Sequence, residues 1–180
     1  MKQKIFTNKA FTLIEILVVV LIIGILAAIA VPKYQKAVLK ADLHRGISLV
    51  ESLYQAQQAY YLTHGNFAAD IDELDVSFIK DASCEKTTSG TSASTYDCDF
   101  GRIFNNKGTA LSFQNKPNRK GVSLAHIAYV HQLGSNGGFK AGHRYCFAKT
   151  DNNIAKRVCQ ELGGDEMDIT PTKWTYYEIK

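Results

Sequence analysis

The first ten residues of this chain contain no aspartate or glutamate, and the next twenty-one, Phe11–Val31, contain one charge, Glu15. A span so poor in charge has no polar face to turn to water, which excludes an ordinary surface helix there. Other absences narrow the function. The four cysteines, Cys84, Cys98, Cys146 and Cys159, form no CxxC pair and no Cys–His cluster, so the ligand spacing of a zinc site is missing. Asp70, Asp72, Glu73 and Asp75 lie close together, but not at EF-hand spacing; they read as a solvated acidic turn. The five histidines are scattered. His126 and His131 are five apart, so on a strand they face opposite sides. No GxSxG or similar motif joins serine, histidine and acid. The glycine pairs at 137–138 and 163–164 lack the lysine and strand–helix context of a phosphate loop. No catalytic residue, metal or cofactor is expected.

What the sequence has is the apolar run FTLIEILVVVLIIGILAAIAV. As a helix it is roughly 30 Å long, about the hydrocarbon thickness of a bilayer. A removable secretory signal has a shorter core, about 7–15 residues, followed by a small-residue cleavage site. Here the run passes Pro32 into a well-patterned helix, so removing it would cost the domain its first element. Glu15 is the anomaly, because a carboxylate near the bilayer centre costs about 2.5–3.5 kcal/mol on insertion scales.

Residues 33–62 carry Leu39, Leu43, Ile47, Val50, Tyr54 and Tyr61 at helical spacing, with Lys36, Lys40, Asp42, Glu51 and Gln58 on the remaining surface. Pro32 removes a backbone donor and crowds the preceding turn, which predicts a kink near Ala28–Pro32, with Gly24 a second weak point. The helix should stop around His64-Gly65-Asn66. Residues 80–99, rich in Ser, Thr, Asp and Gly, read as a surface loop. From Phe100 the period changes to two. Gly108–Phe113, Val122–Val130, His143–Ala148 and Lys173–Ile179 are predicted strands, separated by turns at 105–108, 115–121 and 134–142. Between the last two strands, Asp151 is expected to cap a short helix over Asn152–Leu162, ending at Gly163-Gly164. The fold class is therefore α+β: a long N-terminal helix on an antiparallel sheet of about four strands.

An even number of cysteines outside the apolar run fits an oxidising, extracytoplasmic compartment. Four cysteines permit three connectivities. The local one, Cys84–Cys98 with Cys146–Cys159, needs no long-range coincidence and is the expected one.

The block Lys9-Ala10-Phe11-Thr12-Leu13-Ile14-Glu15, behind a leader with Lys2, Lys4 and Lys9, resembles the processing site of type IV pilins and type II secretion pseudopilins. The resemblance is strong over residues 1–62, and Tyr60-Tyr61-Leu62-Thr63-His64-Gly65-Asn66-Phe67 with Asp72-Glu73-Leu74 extends it in general layout. It implies cleavage between Ala10 and Phe11 by a prepilin peptidase, which also N-methylates Phe11. Ala10 stands where the family usually has glycine. The implied organisation is a leader (1–10), an apolar polymerisation half of the helix (11–32), an amphipathic half (33–62), a connecting loop (63–99) and a sheet with a cysteine-closed C-terminal loop (100–180). The implied partners are copies of itself, other pilins, the peptidase, an inner-membrane assembly platform and, before assembly, the lipid bilayer. The implied location is the inner membrane, then an extracellular filament. A secretion pseudopilus subunit is the alternative function, and a signal-anchored extracytoplasmic enzyme a weaker one.

Cleavage would give Phe11 an α-ammonium four residues, about one helical turn, before Glu15. A carboxylate in the first turn suits the helix dipole, and in lipid it strongly favours a cationic partner. Glu15 of one subunit paired with Phe11 of a neighbour would fix axial register; the alternative is an ordinary anchor whose Glu15 snorkels to the membrane interface. Loss of the leader removes three lysines and leaves 18 basic against 17 acidic residues, so nucleic acid is not an expected partner. Mass spectrometry of surface material should find methylated Phe11 as the first residue; an intact Met1 there would exclude cleavage at Ala10–Phe11.

Overall fold

A computed structural model describes residues 11–76, 84–87, 94–106, 109–115, 123–130, 138–169 and 173–180. The chain divides into two compact units, residues 1–37 and 38–180. Helix α1 runs Leu13–His64 and continues through Gly24 and Pro32. In the first unit every described residue but Lys36 is exposed, apolar and polar alike.

The second unit is built on one face of α1. Leu39, Leu43, Gly46, Val50, Leu53 and Gln57 are buried there, stepping by four and three. That rhythm keeps one narrow stripe pointed in a single direction along the helix. The sequence stripe is right at Leu39, Leu43 and Val50 and at half-buried Ile47 and Tyr54, but not at Tyr61, which is exposed. The Tyr61 ring instead stacks on Phe67, 4.7 Å away, just beyond the helix end. Gly65, at φ 75°, closes α1 in a conformation that suits glycine.

Opposite the stripe lies an antiparallel sheet, eight-stranded among the described residues, in the order β1-β2-β3-β4-β5-β6-β8-β7. The strands are β1 (Cys84–Thr87), β2 (Ser94–Cys98), β3 (Gly101–Asn105), β4 (Ala110–Asn115), β5 (Ala125–Val130), β6 (Arg144–Lys149), β7 (Gly164–Glu166) and β8 (Trp174–Ile179). Helix α2, Asn153–Glu161, lies between β6 and β7 in the chain. The sheet thus has twice the expected strands. The four read from sequence correspond to β4, β5, β6 and β8. The stretch read as a loop over 80–99 contains β1 and β2. Its few apolar side chains, Tyr96 and Cys98, are buried, but they sit among hydroxyls that read as turn residues. The cap of α2 also moves by one residue: the Asn152 side chain accepts from Ala155 N–H at 2.8 Å, while Asp151 pairs with Lys149 at 3.2 Å.

Register places one row of side chains on the helix-facing side: Tyr96, Ile103, Phe113, Ile127, Cys146 and Tyr177 on neighbouring strands. Two cores form along α1. Leu39 and Leu43 pack with Ile127, Cys146, Val158, Cys159 and Tyr177. Val50 and Leu53 pack with Ala68, Ile71, Leu74, Tyr96, Ile103 and Phe113. Amides fix the segment that leaves the helix. The buried Gln57 side chain donates to Ala68 O at 2.9 Å and accepts from Ala68 N–H at 2.8 Å. Asn105 donates to Ala68 O and Ala69 O, and Ser94 Oγ accepts from Ile71 N–H. Such pairing is what allows polar groups into the interior at all.

Away from the helix, His126 meets Gln114 (Nε2···Nε2, 2.8 Å) and lies 4.2 Å from the Trp174 ring. Burial among these groups pulls its pKa down to about 4, so it is neutral at pH 7 and serves the packing.

Phe113 is fully buried and its ring approaches two glycines, Gly46 of α1 and Gly101 of β3. A Cβ at Gly46 would overlap the ring; one at Gly101 would come within 2.6 Å of Gln114 O. Alanine in a helix normally gains about 1 kcal/mol over glycine, but overpacking a core costs about 1–3 kcal/mol. Gly46→Ala should therefore lower the melting temperature of the full chain in detergent, whereas Gly24→Ala, with open space around it, should not. A rise in melting temperature for Gly46→Ala would show that the Phe113 contact is slack.

Candidate functional site

The start of α1 is built by the four residues Thr12-Leu13-Ile14-Glu15. Thr12 N–H and Thr12 Oγ1–H both donate to Glu15 Oε2 at 2.7 Å, and Glu15 N–H donates to Thr12 Oγ1 at 3.3 Å. This is a reciprocal capping box, in which the cap residue and the third helical residue satisfy each other's backbone donors. Two donors that would otherwise be orphaned at the helix start are thereby paired. The sequence carries this signal as Thr-x-x-Glu ahead of an apolar run. The box pins Glu15 by one oxygen, Oε2, at the positive end of the helix dipole.

Phe11 precedes the box and is 80% exposed. Ala10 lies outside the described residues, as do Lys2, Lys4 and Lys9. Within the box and beyond it the surface is apolar: Leu13, Ile14, Ile16 and every valine, leucine and isoleucine through Val31 are exposed. By length and composition α1 can cross a membrane. An uncovered apolar surface of this extent marks a lipid or protein contact.

The acidic turn stays largely exposed to solvent, and its carboxylates are also paired within the protein. Asp70 caps a short 3-10 helix, Ile71–Glu73, and Glu73 accepts from Tyr60 Oη–H at 2.8 Å. Lys86 Nζ sits between Asp70 (2.7 Å) and Asp72 (2.5 Å), and Tyr96 Oη–H donates to Asp72 as well. The hydrogen bonds to Asp70 and then Asp72 raise the Lys86 pKa. A protein ammonium therefore holds the position a cation would need. Among the described residues no three of His, Cys, Asp and Glu gather as metal ligands do.

The structure joins Cys84 to Cys98 and Cys146 to Cys159. The first bridge ties β1 to β2 at directly opposed positions. The second ties β6 to α2 inside the first core.

Residues 44–166 match the family model for type IV pilin-like G and H proteins, and residues 6–31 match the prokaryotic N-terminal methylation motif. The chain is similar to a type IV major pilin protein PilE of Neisseria gonorrhoeae, 45% identical over 63 residues (35% of this chain, 38% of the relative). It is also similar to a fimbrial protein of Neisseria meningitidis, 44% identical over 63 residues (35% and 37%). A fimbrial protein of Pseudomonas aeruginosa is 48% identical over 55 residues (31% and 36%). The matched stretch spans less than two-fifths of the length of these relatives. No solved structure gives a significant match.

The capping box makes its own prediction. Thr12→Val keeps shape but removes both the donor and the acceptor hydroxyl, so hydrogen exchange of the first helical turn in detergent should speed up, while Thr12→Ser should preserve its protection. N-cap losses are worth about 0.5–2 kcal/mol. Equal exchange in Thr12→Val and the unaltered protein would mean the box does not hold the turn.

Proposed function

The chain belongs to the family of type IV pilin-like G and H proteins, and from that membership we propose that it is a structural subunit of a type IV pilus filament. A prepilin peptidase cuts between Ala10 and Phe11 and the new amine is N-methylated. The mature subunit waits in the inner membrane by its apolar helix. An assembly platform then extracts it into an extracellular filament of like copies, alongside other pilins. Its role is structural and not catalytic. The secretion pseudopilin reading is less favoured, because the relatives with named roles are major pilins and fimbrial proteins.

The observation that carries the reading is a carboxylate held at the first turn of an otherwise bare, apolar helix that opens on the methylation motif. The capping box occupies Glu15 Oε2 and leaves Oε1 outside those bonds. An ammonium on a neighbour's Phe11 has a natural site there. Methylation of that amine leaves it cationic. In a dry bundle of apolar helices, lateral packing alone tolerates axial slip, since one aliphatic surface resembles the next. A single opposed charge pair does not tolerate it. Its Coulomb energy collapses with distance in a low dielectric, and a lone α-ammonium left in that environment is costly.

Glu15→Ala separates this from an interfacial anchor. Insertion of the precursor should become easier, because the alanine variant carries no charge into lipid. The folded unit, which lies outside the span, should keep its melting temperature. Filament yield should nonetheless collapse, since breaking a buried pair costs about 3–5 kcal/mol at every subunit added. Electron micrographs of the cell surface, read against the membrane-bound pool, decide it. Normal filaments from a normal pool would contradict the proposal.

A further inference from the structure

We propose that the Cys84–Cys98 bridge is a thiol-releasable latch on the sheet edge, holding β1 and its Lys86 clamp in place, while Cys146–Cys159 is closed to the same reagent. Among the described residues β1 is the outermost strand, four residues long, with β2 as its one neighbour in the sheet. Glu85 and Lys86 are exposed and Cys84 is half-buried, while Cys98 behind it is buried, so the Cys84 sulfur is the one within reach. An attacking thiolate can therefore approach this bridge from the rim. The other bridge has no such approach. Cys146 and Cys159 are both fully buried, packed with Leu39, Leu43, Val158 and Tyr177. Reaching it requires α2 to lift from β6. Since exchange depends on access to a sulfur, the two bridges differ in kind.

The step is thiol–disulfide exchange with a small dithiol. One thiolate of the reagent attacks a bridge sulfur and forms a mixed disulfide, releasing one cysteine, which takes a proton. The reagent's second thiol then displaces the other cysteine. Two electrons come from the dithiol, which closes as its own disulfide, and the protein gains two thiols.

Release should be local. With the bridge open, β1 is held by its ladder to β2 and by Lys86 on Asp70 and Asp72. The segment around Ala68 keeps its separate anchors on Gln57, Asn105 and Ser94. β2 keeps β3, to which it pairs along its full length. What opens is the edge strand and the clamp it carries, a low-stability element of the fold.

The test uses the mature full-length chain in detergent micelles. Brief treatment with dithiothreitol is followed by iodoacetamide, and peptide mass spectrometry counts alkylation at each cysteine. Cys84 and Cys98 should react at least about tenfold faster than Cys146 and Cys159, with the fluorescence of Trp174 unchanged while only the first pair has reacted. Lys86→Met should speed the first pair a few-fold, as expected when one of two holds on β1 is lost, and leave the second pair alone. Equal rates, earlier reaction of Cys146–Cys159, or a Trp174 change that accompanies the first alkylation would overturn the latch. An unaltered rate in Lys86→Met would remove the clamp from it.

Discussion

The folded unit depends on one seam. Leu39, Leu43, Gly46, Val50, Leu53 and Gln57 form the line along which α1 meets the sheet, and each of the two cores takes its buried α1 residues from it. The seam works because its members differ. The leucines and valine supply apolar area, worth about 1.5–3 kcal/mol for each fully buried side chain. Gly46 supplies the absence of a side chain, without which Phe113 has nowhere to go. Gln57 supplies a donor and an acceptor to the backbone of Ala68. The segment leaving the helix is thereby turned back over the second core, where Ile71 and Leu74 are buried.

Over residues 13–31 the same helix is governed by a different rule. Its surface has no seam, because no side is polar, and its first turn is closed by Thr12 and Glu15 so that the exposed end of the backbone does not fray. A helix of this kind is stable in lipid, where its ladder satisfies the backbone internally. It is equally suited to a bundle of copies. What it lacks in lipid or in a bundle is any feature that sets axial position, and Glu15 is the only charge between Phe11 and Val31 to provide one. On the proposed function, transfer from bilayer to bundle exchanges one apolar surrounding for another, so the carboxylate and the amine that the proposed cleavage would create dominate the difference between the two states.

Much of this was legible in the residues. The apolar run, the helix end at His64, the four longer strands and α2 follow from period, turn chemistry and glycine placement. The misses share a cause: they are residues whose role is set by a partner distant in sequence. Gly46 and Gln57 break a hydrophobic pattern, and only Phe113 and Ala68 explain them. β2 is short and hydroxyl-rich, and it becomes a strand because β1 and β3 flank it. The acidic turn is exposed as read, but its pairing with Lys86, sixteen residues after Asp70, is not legible locally. Tyr61 has the right spacing for the stripe but lies beyond the seam's last buried residue. The capping box is the exception, a local motif readable as Thr-x-x-Glu.

The most direct test of the assembly account is a filament structure at side-chain resolution. It should place Glu15 of one subunit within about 4 Å of the Phe11 nitrogen of a neighbour, the range of an ion pair, with the Thr12 box intact and the same axial offset at every subunit. A filament in which Glu15 contacts only its own Thr12 and Phe11, with each neighbouring amine beyond that range, would contradict the claim that this pair sets the register.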